Sequence, residues 1–175
     1  MSRAFVKEDD GAPDEPPPER PVSEQPNYVT PSGLAHLHAR LAELETQRLE
    51  LNRRAAADDS AREQLRHVER DLRYYRLRLE SALLVGSEGR TSDTAGFGAT
   101  VTVSDDMGTR SCYTIVGEDE AEPDVGLVSW VSPLARVLEG GRVGEEVVWR
   151  RPAGRLELRI EAIEYRAGTE RQSGN

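Results

Sequence analysis

Residues 34–51, LAHLHARLAELETQRLEL, and residues 65–82, LRHVERDLRYYRLRLESA, decide the fold. Forward, Leu34, Leu37, Leu41, Leu44, Arg48 and Leu51 step by three and four. Backward, Ala82, Leu79, Tyr75, Leu72, Val68 and Leu65 do the same, so every antiparallel pair of positions adds to 116. Apolar residues at this spacing share one helix face, and two such faces bury each other along a seam. The midpoint is Asp58, in Ala57-Asp58-Asp59-Ser60, where Asp and Ser compete with the helix by bonding nearby backbone. Ser60-Ala61-Arg62-Glu63 has the form of a capping box and predicts a new helix from Ser60. Residues 28–86 therefore read as an all-α antiparallel coiled-coil hairpin with an acidic tip. Thr30 is placed as N-cap before Pro31 at the first helical position, and Gly86-Ser87 as the stop.

Outside the hairpin the pattern changes. Residues 1–27 hold Pro13, Pro16, Pro17, Pro18, Pro21 and Pro26 among acids, which predicts a disordered extension. Residues 87–95 read as a linker and residues 166–175 as a flexible tail. Between them, over 96–165, the period falls from 3.6 to 2. Strands are predicted at Phe97–Val103, Arg110–Val116, Leu127–Val131, Val147–Arg151 and Leu156–Tyr165. Ser132 and Pro133 open a short helix through Leu138. A helix lying on an antiparallel sheet is an α+β domain.

The 175 residues carry a net charge of −9, spread as −4 over 1–27, +1 over 28–85 and −6 over 86–175. Such a balance disfavours a free-standing binder of duplex DNA, since phosphate neutralisation supplies most non-specific affinity. No run of about 18 apolar residues reads as a membrane span, and the start has no secretory pattern, so a cytoplasmic protein is expected. Cys112, the single cysteine, excludes an internal disulfide, and His36, His38 and His67 have no ligand spacing, so no metal of its own is expected. On the outer face of the second arm, Arg62, Arg66, Arg70 and Arg73 form a basic stripe that suits either an acidic partner or plain solvation. The acid run Glu118-Asp119-Glu120-Ala121-Glu122 reads as a wet loop.

The order of a projecting helical hairpin followed by a small α+β domain resembles the bacterial GreA/GreB transcript cleavage factors. The residues that carry the likeness are Tyr28-Val29-Thr30-Pro31-Ser32-Gly33-Leu34, Arg62-Glu63-Gln64 through Val85, Phe97 to Val103, Tyr113 to Ala121, Ser129 to Leu138, Val143-Gly144-Glu145 and Ile163-Glu164-Tyr165. The resemblance implies an FKBP-like C-terminal domain that docks on the rim of RNA polymerase, with Ser132, Pro133, Leu134 and Ala135 near the docking surface. It implies a hairpin that enters the secondary channel, near the 3′ end of backtracked RNA. Two tip carboxylates would there help the polymerase hold a second Mg²⁺ for an in-line phosphoryl displacement. The protein would be a monomer and not itself an enzyme.

The tip departs from the family pattern of Asp, two spacers and Glu-Asn. About fourteen residues are missing across the arms, about one heptad or roughly 10 Å from each. Asp58 and Asp59 are the only acids at the fold, and they either replace the missing pair or only end one helix and cap the next. The expected function is thus regulation of elongation through polymerase binding. The alternative is an active cleavage factor using Asp58 and Asp59. A peptidyl-prolyl isomerase, suggested by the FKBP-like fold, needs an aromatic pocket that Phe97, the domain's one phenylalanine, does little to supply.

Overall fold

A computed structural model describes residues 16–86 and 93–165. The expected tail at 166–175, residues 1–15 of the extension and 87–92 of the linker lie outside the described residues. Strand β1 (Tyr28–Val29) leads into helix α1 (Pro31–Arg54), and α2 (Asp59–Glu80) leads into β2 (Leu83–Leu84). Thr30 caps α1 as its sequence requires, its hydroxyl accepting from the Gly33 N–H at 3.0 Å with Pro31 inside the first turn. The two helices pack along each other and run antiparallel, so that Arg76 of α2 pairs with Glu45 of α1 at 3.2 Å. Leu37, Leu44, Leu51 and Leu72 are buried in the seam, while Leu34, Leu41, Leu65, Val68, Tyr75 and Leu79 are half-buried. Beside the seam an open groove lies between Gln47, Glu50, Leu51, Gln64, His67 and Val68.

Three boundaries differ from expectation. Asp58, not Ser60, is the N-cap of α2: its carboxylate accepts from the Ala61 N–H at 3.2 Å. That start turns Ala61 fully inward, closing the seam at the tip. At the other end α2 stops at Glu80, six residues before the predicted glycine stop, because residues 83–84 are taken up by parallel pairing with β1. Leu83 donates to Asn27 O at 2.8 Å and Val85 to Val29 O at 2.9 Å. Residues 16–27, expected as part of a disordered extension, have no regular structure but hold a defined course against α2.

The second part is an α+β domain: β3 (Ala99–Asp105), β4 (Arg110–Val116), β5 (Leu127–Ser129), α3 (Pro133–Leu138), β6 (Glu146–Arg151) and β7 (Gly154–Tyr165). The sheet order is β5-β4-β3-β7-β6. All its pairings are antiparallel except β4 with β5, a correction to the wholly antiparallel sheet expected. Gly126, at φ +82°, makes the return into β5. Strand alternation sends Val101, Val103, Ile115, Leu158, Ile160 and Ile163 to one face, where Leu134, Ala135 and Leu138 of α3 cover them. A register shift between Thr102 and Val103 keeps both Ile163 and Ile160 on that face, opposite Val101 and Val103.

Candidate functional site

The tip is built by the end of α1, the turn at residues 55–57 and the cap of α2. Asp58 divides its carboxylate: Oδ1 accepts from Ala61 N–H, and Oδ2 from Arg54 at 3.1 Å. The Ala61 hydrogen bond, then Arg54, hold its carboxyl below the usual value. Asp59 is highly exposed and pairs with Arg62, which also donates to Ala55 O at 2.9 Å. Sequence reading missed Arg54, although its spacing of four from Asp58 was there to be read. Both tip acids thus sit beside an arginine, which offsets the charge each carboxylate would offer a divalent cation. Among the described residues, no group of three or more His, Cys, Asp or Glu is placed to hold a metal ion.

The other expected sites are only partly presented. Of the four residues near the expected docking surface, Leu134 and Ala135 are buried in the core and Ser132 caps α3 through the Ala135 N–H at 3.2 Å. Pro133 alone is exposed. Along the basic stripe, Arg62 is paired as above, Arg70 holds Asp71 at 2.7 Å, and Arg73 holds Glu19 at 2.5 Å. Arg66, on the same face, is half-buried.

What sequence reading missed altogether is the joint between the helices and the sheet. The acid run expected as a wet loop forms a 3₁₀ turn, Glu118–Glu120, and its side chains grip the base of the helix pair. Arg78, 2% exposed, donates through Nε to Asp119 Oδ2 at 2.5 Å and lies 3.7 Å from Glu118. The Tyr74 hydroxyl donates to Asp119 Oδ1 at 2.6 Å. Glu120 accepts from the Thr30 N–H at 2.9 Å and from the Thr30 hydroxyl. Gly33 is needed beneath it, because a Cβ there would overlap the Glu120 carboxyl. Gly117 lets β1 approach in the same way: a Cβ would meet Tyr28 O at 2.5 Å.

Tyr28 completes the joint, its ring centroid 5.0 Å from that of Trp130 and 5.9 Å from that of Phe97. Together with Ile115, Ala135 and Glu139 these rings wall a cavity of about 230 Å³. An aromatic-walled cavity therefore exists after all, with one wall supplied by β1 from outside the sheet domain.

Burial, then the hydrogen bond to Asp119 and its charge, push the Tyr74 phenol up to about 12 from its ordinary 10. A raised phenol favours the neutral form, so this contribution to stability is complete below pH 10 and lost as pH rises toward 12. The difference in phenolate absorbance between the native protein and Tyr74→Phe should titrate near pH 12. A midpoint at the ordinary value would refute the buried Tyr74–Asp119 bond.

Residues 90–165 match the family model described as transcription elongation factor GreA/GreB, C-terminal. Transcription elongation factor GreB of Neisseria meningitidis serogroup B is 36% identical over 157 residues, covering 82% of this chain and 96% of its own. This chain belongs to the GreA/GreB family. GreA of Desulfovibrio desulfuricans is 30% identical over 151 residues, covering 79% of this chain and 93% of its own. Among solved structures, GreA factor homolog 1 of Thermus thermophilus aligns over 80% of this chain and 99% of its own at 22% identity, with a TM-score of 0.39. As a GreA/GreB factor the chain is a transcription elongation protein, with its C-terminal match spanning the sheet domain and α3.

Proposed function

We propose that this GreA/GreB factor regulates elongation by binding bacterial RNA polymerase without stimulating RNA cleavage. Residues 28–86 act as a monomeric coiled-coil hairpin inserted in the secondary channel. Residues 96–165, an FKBP-like domain, dock on the channel rim near the exposed Pro133. The observation that carries the reading is the tip: Asp58 is taken up as the cap of α2 through Ala61 and pairs with Arg54, and Asp59 has Arg62 beside it. Short arms point the same way. Against the family pattern the sequence reads as about one heptad, or roughly 10 Å, short in each arm.

The experiment is a defined backtracked elongation complex with cognate polymerase, given this protein alone or ahead of a full-length GreB. The expected result is binding, no shortening of the transcript, and protection against trimming by GreB. Asp58→Ala with Asp59→Ala should leave all three unchanged. Trimming that disappears in that double variant would establish an active cleavage factor instead.

A further inference from the structure

The described part of the N-terminal extension does something the hairpin alone does not require. Residues 16–27 lie against residues 71–80 of α2 and the Ser81 that ends it. Glu19 accepts from both Nε and Nη2 of Arg73, at 3.1 and 2.5 Å. The Arg20 guanidinium stands 3.9 Å from the centroid of the Tyr74 ring and 5.3 Å from that of Tyr75, with Asp71 3.9 Å away. Asn27 is the fixed end: it is 5% exposed, and its amide donates to Arg78 O at 2.7 Å and Ser81 Oγ at 3.2 Å.

Between these contacts the hold is slight. No residue from 16 to 26 is buried, and only Pro17 and Arg20 are half-buried. Glu19 and Arg73 are both more than half exposed, 62% and 53% of their side chains. Ion pairs this open are weak and salt-sensitive, and the Arg20 stacking is exposed on one side. Val22 remains 40% exposed above an open space shared with Leu77 and Leu83. A segment anchored firmly at Asn27 and loosely beyond it is built to peel away.

Its position gives that opening a meaning. Residues 59–70 of α2, about 18 Å of helix, run bare from the tip, whereas the strap thickens the pair from Asp71, about one turn above Tyr74, where the sheet domain takes hold. We infer that residues 16–27 form a collar on the helix pair that limits how far it enters the polymerase channel, and that releasing the collar from Arg73 and Tyr74 allows deeper entry. The inference rests on the polymerase reading above. Release would also free Arg73 for an acidic group on the channel wall.

The test exchanges the collar's charges, Glu19→Arg with Arg20→Glu, which opposes it to Arg73 and Asp71 and leaves the net charge unchanged. A protease that cuts after glutamate reports opening through faster cleavage at Glu24. A photo-crosslinker at the exposed tip residue Ala56 maps depth in the polymerase complex. We expect cleavage at Glu24 to rise at least several-fold and the crosslinks to move inward by about 5 Å, the one turn between Asp71 and the sheet domain's hold at Tyr74. Adding Arg73→Glu and Asp71→Arg should restore both readouts by re-forming the pairs. An open collar with unmoved crosslinks overturns the inference and leaves polymerase binding standing. Unchanged proteolysis also overturns it, since the collar would not be held by these contacts. Absence of crosslinks from either protein overturns the polymerase reading and the collar together.

Discussion

Replacing Arg78 with alanine should destabilise the protein by about 3–5 kcal/mol, the cost of leaving buried charge without its partner. Arg78 is 2% exposed and its partner Asp119 has a side chain only 10% exposed, so water does little to replace the lost guanidinium. The same change strips Glu118 of its pairing and leaves Tyr74 as the one side chain bonded to Asp119. Denaturant unfolding, followed separately by helical circular dichroism and by tryptophan fluorescence from the sheet domain, checks both the size and the place of the loss. The two probes should part in Arg78→Ala, with the helix pair melting first, because the damage falls on the joint and leaves the sheet core untouched. Arg78→Met combined with Asp119→Leu should recover most of the stability, since removing both charges spares the penalty. A loss below about 1 kcal/mol in the single variant would mean that the pair is hydrated like a surface bridge.

Leu138→Ala should cost about 2–5 kcal/mol, the range for emptying a packed leucine site. Leu138 is fully buried and belongs to the cluster that joins α3 to Val101, Ile160 and Ile163. Beside it, Gly141 already lies so close to Ile160 that a Cβ would meet the Cδ1 atom at 2.6 Å. That tight surround leaves little room for neighbours to collapse into the space, which places the expectation in the upper half of the range. Here the order of melting should reverse, with tryptophan fluorescence changing ahead of helical dichroism. A shift in thermal midpoint of only a degree or two would show that α3 is held mainly by its Ser132 cap.

How much of this could be read from sequence follows from the range of the interactions. Thr30 before Pro31 and Ser132 before Pro133 mark helix starts through contacts within three residues, and both caps form as written. The two arms are farther apart but leave a periodic record, so their antiparallel packing was legible too. Asp58 and Ser60 both had capping chemistry within reach, and the burial of Ala61 decides for Asp58. Nothing periodic records the joint. Thr30 meets Glu120 across 90 residues, and Arg78 meets Asp119 across 41, each without a repeat elsewhere in the sequence. An acid run looks the same whether it faces water or a buried arginine. The collar was hidden for a related reason: its proline and acid content resembles that of a disordered segment, and its place depends on the face of α2 beneath it.

Fixing the arms at their base has a consequence for how such a factor changes over time. Thr30, Gly33, Tyr74 and Arg78 all lie within about the first turn of α1 or the last two of α2, where Glu118, Asp119 and Glu120 hold them. The mount is therefore indifferent to how much shaft stands above it. Removing seven residues from each arm turns the tip by only about 20° relative to the base, since a heptad falls just short of two full turns. Reach becomes a dial that evolution can set in steps of roughly 10 Å while the fitting stays the same.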